Sequence, residues 1–177
     1  MKTTSAITPS ILLKTILDIC YYILLISFIG SIIITIWQAS LQEPFMTFKI
    51  QDQEVSEFTF QVVVLIVAQL ILAGVFIYVI DLFRKLVRSF FKPKLFTKFQ
   101  VTRLNLIGLL IIFTSFGEEI FDFFAGAILQ EKTQVGFTIE NNFGSFWFTF
   151  GLGLFFILLS KAFDNARILK EENELTV

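Results

Sequence analysis

Histidine is absent from this chain of 177 residues, cysteine occurs once, at Cys20, and proline three times. Without histidine there is no imidazole for zinc or haem, no Ser/His/Asp triad and no Cys/His pair. A single cysteine excludes an internal disulfide framework, and Cys20, set in an apolar run, reads as a small buried or lipid-facing residue. Charge is sparse as well: 16% of residues are charged, where a soluble domain carries about 25%. No nucleophile–base pair, metal-ligand set or phosphate-binding glycine loop is visible, so the expectation is a protein that is not an enzyme, with no catalytic residue, metal or cofactor.

What the chain has instead is apolar surface. It is 55% hydrophobic with 24 Phe and a mean hydropathy of +0.79. A soluble fold of this size would have to bury nearly all of that surface in a small core, whereas lipid solvates it directly. Four runs are long enough to cross a bilayer, at about 15–37, 59–83, 104–127 and 145–163. The first is longer than the apolar region of a signal peptide, and Trp37-Gln38-Ala39 fits a cleavage site poorly, so it reads as a retained helix. The expected fold is all-α: one integral membrane domain of four transmembrane helices in a bundle.

Between the second and third runs lies RKLVRSFFKPKLFTKFQVTR, residues 84–103. It holds Arg84, Lys85, Arg88, Lys92, Lys94, Lys98 and Arg103, seven of the fourteen basic residues, and no acid. Lysine and arginine stay on the cytoplasmic side. With this segment inside, Lys2, Lys14, Lys161, Arg167 and Lys170 join it and only Lys49 and Lys132 fall outside. Twelve against two predicts both termini in the cytoplasm, in the cell membrane. Asp81 precedes Lys85 by four, so the second helix is expected to run on as LFRKLVRSFF until Lys92-Pro93-Lys94 breaks it. A basic, Phe-rich segment beside a bilayer also suits anionic lipid head groups. Direct binding to nucleic acid is not expected.

Several polar residues interrupt the apolar runs. Ser27, Ser31 and Thr35 share a face of the first helix, a pattern that permits close helix approach. Gln69 stands near the middle of the second, where a lone amide usually faces another helix. In the third, Glu118, Glu119 and Asp122 fall within five residues, with Glu118 about 22 Å beyond Arg103 and so inside a core about 30 Å thick. Two readings stay open: carboxylates within the membrane, which point to function, or a span ending near Phe116 with FGEEIFDFF as an amphipathic interfacial turn. The external segment 38–58, with Pro44 and four acids, has a weak alternation through Phe45, Phe48, Ile50 and Val55 that would support a short hairpin or an interfacial segment. A second external loop covers 128–144, and Trp147 opens the fourth span as an aromatic belt residue. The tail, 164–177, offers the helical pairs Arg167–Glu171 and Lys170–Glu174.

The tail also carries a resemblance. Glu171-Glu172-Asn173-Glu174-Leu175-Thr176-Val177, after a helix ending AFDNARIL, resembles the closing EENDLTV-like signature of a YoaS-like bacterial family of four-span membrane proteins of unknown function. Leu95-Phe96-Thr97 followed by Arg103-Leu104 and Gly108 is similar to that family's loop-to-third-helix segment, with Leu95 in place of its usual proline. The resemblance implies no catalytic residue. It implies a partner, since members are often encoded beside a small Cro-type helix-turn-helix regulator that the membrane protein would hold or modulate.

Two functions compete. One is an accessory or regulatory protein whose basic segment and tail contact lipid or a cytoplasmic partner, through Arg84, Lys85, Arg88, Lys92, Lys94, Lys98 and Arg103 and through 171–177. The other is a small transporter or channel subunit that uses Gln69, Glu118, Glu119 and Asp122 as a polar path. Four helices enclose little space, so transport would call for a homo-oligomer.

Overall fold

The computed structural model describes residues 9–40, 48–50, 53–55, 59–91, 96–129 and 142–175. Its elements run α1 (Pro9–Ala39), β1 (Phe48–Ile50), β2 (Gln53–Val55), α2 (Phe60–Phe90), α3 (Lys98–Leu129) and α4 (Asn142–Leu175). The helices hold 31, 31, 32 and 34 residues, or about 46–51 Å at 1.5 Å per residue. Each therefore exceeds a hydrocarbon core of about 30 Å and must project into water at one end or both. All four are apolar enough to cross a membrane. β1 and β2 form a two-stranded antiparallel hairpin in which Phe48 faces Val55 and Ile50 faces Gln53.

The basic segment is mostly helix. α2 continues through Arg84, Lys85 and Arg88 to Phe90, and α3 already begins at Lys98. α3 also runs without a break through Glu118, Glu119 and Asp122 to Leu129. Of the two readings left open there, the turn at FGEEIFDFF is not found, since the segment is continuous helix. Phe, Ile and Ala around the acids keep the ladder of backbone bonds going, no proline interrupts it, and Gly117, against Leu72 of α2, is carried within it. At the other helix start, α4 takes in Asn142 and Gly144, which the sequence reading left to the preceding loop. The rest of that loop, with Glu131 and Lys132, lies outside the described residues.

α2, α3 and α4 form the packed part of the bundle. One core cluster, Val79, Leu82, Leu86, Leu104 and Ile107, fills the basic half with Phe83, Phe156 and Phe163 against it. A second, Val62, Leu65, Ile66 and Ala125, joins α2 to α3 in the other half. α1 packs against α2 and buries little: Ile23, Ile26, Ile33 and Ile36 are exposed, as are Phe60, Phe148 and Leu158 elsewhere. In a bilayer these side chains meet lipid. The Ser27, Ser31, Thr35 face departs from its expected role. Ser27 and Ser31 are exposed, and the hydroxyls of Ser31 and Thr35 donate to their own helix, to Phe28 O and Ser31 O at 2.8 Å each.

The closest helix approach is between α3 and α4. A Cβ on Gly108 would lie 2.6 Å from the Gly153 carbonyl oxygen and 2.7 Å from Ile157 Cγ1, and one on Gly153 would lie 2.6 Å from Ile112 Cγ1 and 3.0 Å from the Gly108 oxygen. Near this contact the Ser160 hydroxyl donates to Val101 O at 2.8 Å. Gly151, one residue pair away, has open space around it. Gly153→Ala should therefore cost about 1–3 kcal/mol by overpacking. Gly151→Ala should be neutral or mildly stabilising through helix propensity. Thermal unfolding of the two variants in detergent separates these outcomes.

Candidate functional site

At the basic end, two carboxylates organise the cations of α2. Asp18 of α1 accepts from Arg88 Nη2 at 2.7 and 2.6 Å and lies 3.5 Å from Arg84 Nη1. Asp81 accepts from Arg84 Nη2 at 2.8 Å and pairs with Lys85 Nζ. The Arg84 guanidinium also sits 4.1 Å from the centre of the Tyr21 ring and 5.7 Å from that of Tyr22. Lys14 stands over Phe91 at 4.3 Å. Arg84, Lys85 and Arg88, named as lipid or partner contacts from sequence, are thus engaged within the bundle, where Arg84 and Arg88 hold α1 to α2.

The turn from α2 into α3 is fastened by a capping box. Thr97 and Gln100 have the Thr-x-x-Gln spacing: the Thr97 amide donates to Gln100 Oε1 at 3.0 Å, and the Gln100 amide reaches Thr97 Oγ1 at 3.4 Å. This satisfies two helix-start donors, a motif visible in the sequence that the first reading passed over. Gln100 is buried, and its Nε2 donates to Ser89 O at 3.3 Å, tying the start of α3 to the end of α2. Phe96, just before the box, has a φ of 58°, a left-handed conformation that costs a non-glycine residue about 1–2 kcal/mol. Its ring packs edge-on against Phe163 at 5.1 Å, and Phe163 meets Phe90 at 5.6 Å.

Phe96 is held there against the last turns of α4, and two open clefts flank it. One, of about 660 Å³, is lined by Phe96, Ala166, Leu169, Lys170, Asn173 and Glu174. The other, of about 310 Å³, adds Thr97, Lys98, Arg167 and Glu171. The α4 face is set by ion pairs: Arg167 with Asp164 at 2.8 Å and Glu171 at 2.9 Å, Lys170 with Glu174 at 3.9 Å. The structure thus brings Lys98 from the basic segment into one cleft with Glu171 and Glu174 from the tail, and Asn173 lines the other. Glu172 is exposed beside it and Leu175 closes α4. Arg103 lies over the Phe99 ring at 4.7 Å. Lys92, Lys94, Thr176 and Val177 lie outside the described residues.

At the opposite end, Gln69 of α2 and Glu118, Glu119 and Asp122 of α3 line one cavity of about 510 Å³. Sequence reading missed its remaining polar lining, Ser115, Ser145 and Thr149. A signal existed: Ser115, Glu118 and Asp122 follow a three-then-four spacing that places them on one helical face, and Ser145 and Thr149 are four apart. A second chamber of about 410 Å³, apolar apart from its edge, shares Phe76, Glu118 and Thr149 with the first. Among the described residues no three His, Cys, Asp or Glu side chains are placed to hold a metal ion.

Four helices long and apolar enough to cross a bilayer, packed as a bundle with polar groups gathered toward its two ends, define a multi-pass integral membrane protein. Residues 46–177 match the family described as protein of unknown function (DUF2975), and the chain belongs to that family. The matched stretch takes in the hairpin, α2, α3 and α4. No curated protein and no solved structure matches the chain.

The Asp18–Arg88 pair joins α1 to α2 at a partly exposed position, with side chains 29% and 47% accessible. A double-mutant cycle of Asp18→Asn and Arg88→Gln should return a coupling of about 0.5–1 kcal/mol in detergent, within the range of exposed ion pairs. Additive losses would show that the Asp18–Arg88 pair contributes nothing to holding α1.

Proposed function

We propose that this protein is a membrane-embedded docking platform, with both termini and the basic turn in the cytoplasm, that holds a soluble protein in the groove between Phe96 and the end of α4. The observation that carries this reading is apolar surface in a place lipid cannot cover. From Asp164 onward α4 bears Asp164, Arg167, Lys170, Glu171, Glu172 and Glu174 within eleven residues, a charge density that keeps it in water. Yet Ile168 and Leu169 are exposed there, and Leu169 lines the cleft beside Phe96. An apolar patch rimmed by charges of both signs is the anatomy of a protein-binding surface. The YoaS-like tail favours a small helix-turn-helix regulator as the occupant, retained at the membrane by contacts to the tail and to Lys98.

The rival reading, a small transporter using Glu118 and Asp122, has in its favour the gathering of Gln69 and these acids in one cavity. Against it stands the layer of Val79, Leu82, Leu86, Leu104 and Ile107, which fills the interhelical space toward the basic end with apolar side chains. A conduit would need polar groups or water through that layer.

Two tests follow from the groove and the apolar layer. Crosslinking pull-down from native membranes should capture a DNA-binding protein with the full chain and lose it when residues 170–177 are deleted or when Leu169→Asp is introduced, with membrane insertion unchanged. Capture that survives both changes would remove the groove from consideration. Proteoliposomes of the wild type should show no proton or cation flux; a flux abolished by Glu118→Gln with Asp122→Asn would establish transport instead.

A further inference from the structure

Ser115 is 2% exposed and its hydroxyl has no hydrogen-bond partner. Its neighbour Thr114 shows the ordinary solution for a helix in lipid, donating to Leu110 O at 2.7 Å. Ser115 does not take that solution. A buried hydroxyl left unsatisfied costs about 1–3 kcal/mol, and this one lines the polar chamber that also holds Glu118, Glu119 and Asp122. No Lys or Arg lines either chamber among the described residues. The site therefore sets three carboxyl groups beside a hydroxyl that has no hydrogen-bond partner.

The walls narrow the chemistry further. Phe76, Phe121 and Phe146 border the polar chamber, and aromatic faces attract cations. Among the described residues no three carboxylates are placed to hold a metal ion together, and the apolar walls suit a diffuse organic cation. The adjoining chamber is lined by Val79, Ile80, Phe83, Ile107, Ile111 and Leu152 among others, and it shares Phe76, Glu118 and Thr149 with the first. A charged head with a hydrocarbon chain would place one part in each.

We propose that the cavity between α2, α3 and α4 binds an amphipathic organic cation. Its ammonium head lies against Glu118 and Asp122 and donates to the Ser115 hydroxyl oxygen, and its alkyl chain lies in the apolar chamber. The two volumes, about 510 and 410 Å³, together suit a single-chain amine, since small-molecule pockets span about 300–1,000 Å³. A primary ammonium satisfies Ser115, whereas a trimethylammonium has no N–H to give it.

The test is equilibrium binding of labelled decylammonium to the full-length protein in nanodiscs, with empty nanodiscs subtracted. Saturable binding is expected, weakened at least tenfold by Glu118→Gln with Asp122→Asn. Ser115→Ala should weaken decylammonium about fivefold and leave decyltrimethylammonium unchanged, a contrast that general misfolding would not produce. Ile111→Trp, which fills the apolar chamber, should weaken decylammonium more than butylammonium. Non-saturable uptake, equal binding of decanoate, or undiminished binding by the carboxylate double variant with an unaltered melting temperature would each overturn the proposal. It stands apart from the groove at the basic end, so loss of partner capture there leaves it untouched.

Discussion

Everything in the bundle that depends on α3 and α4 depends on the contact of Gly108 with Gly153. Hydrocarbon tails solvate leucine as well as another leucine does, so apolar burial gives helices in a membrane little reason to pair, and close van der Waals packing has to supply it. Two glycines facing each other let the backbones come so near that the Gly153 carbonyl occupies the place a Gly108 side chain would need. Ile112 and Ile157 close over the contact from either side. The Ser160 to Val101 hydrogen bond then fixes the register. Both the groove around Phe96 and the walls of the acidic cavity are built on that register.

The two ends of the bundle handle charge in opposite ways. At the basic end each cation of α2 has an acid in reach, and Arg84 lies between Asp18, Asp81 and the tyrosine rings, while its Nε and Nη1 are buried with no hydrogen-bond partner. Removing either partner of such a buried pair leaves a charge in a poor solvent, which costs more than the pair itself contributes. At the other end Glu118, Glu119 and Asp122 share a helix and face a chamber lined, among the described residues, by no cation. The first arrangement ties α1 to α2 and serves architecture. The second gathers carboxyl groups beside the buried Ser115 hydroxyl.

The gross architecture was legible because its signals are local. Runs of about 20 apolar residues and pairs four apart such as Asp81–Lys85 and Arg167–Glu171 require no knowledge of which helices touch. Long-range partnership was not legible. Nothing in the first run says that Asp18 would meet Arg88, seventy positions away. Ser115 gave no hint of being buried without a partner, because a serine in an apolar helix ordinarily bonds its own backbone. Gln69, Glu118, Glu119 and Asp122 were singled out one helix at a time, and only packing places them around one chamber. The Thr97–Gln100 box is local and its Thr-x-x-Gln spacing is readable in the sequence, whereas the bond from Gln100 to Ser89 is not.

α4 is 34 residues of continuous helix with no proline in it, and its tightest contact, Gly153, lies well short of its charged end. From that point to Leu175 is about 33 Å at 1.5 Å per residue. Beyond Gly153 the Ser160–Val101 hydrogen bond and Phe163, set against Phe90 and Phe96, hold the helix as well. Mechanically the helix is a stiff beam clamped as far as Phe163, with its last turns overhanging by about 18 Å. A bend of about 5° at the clamp would carry the end of the tail about 1.5 Å sideways, with no hydrogen bond in the helix broken.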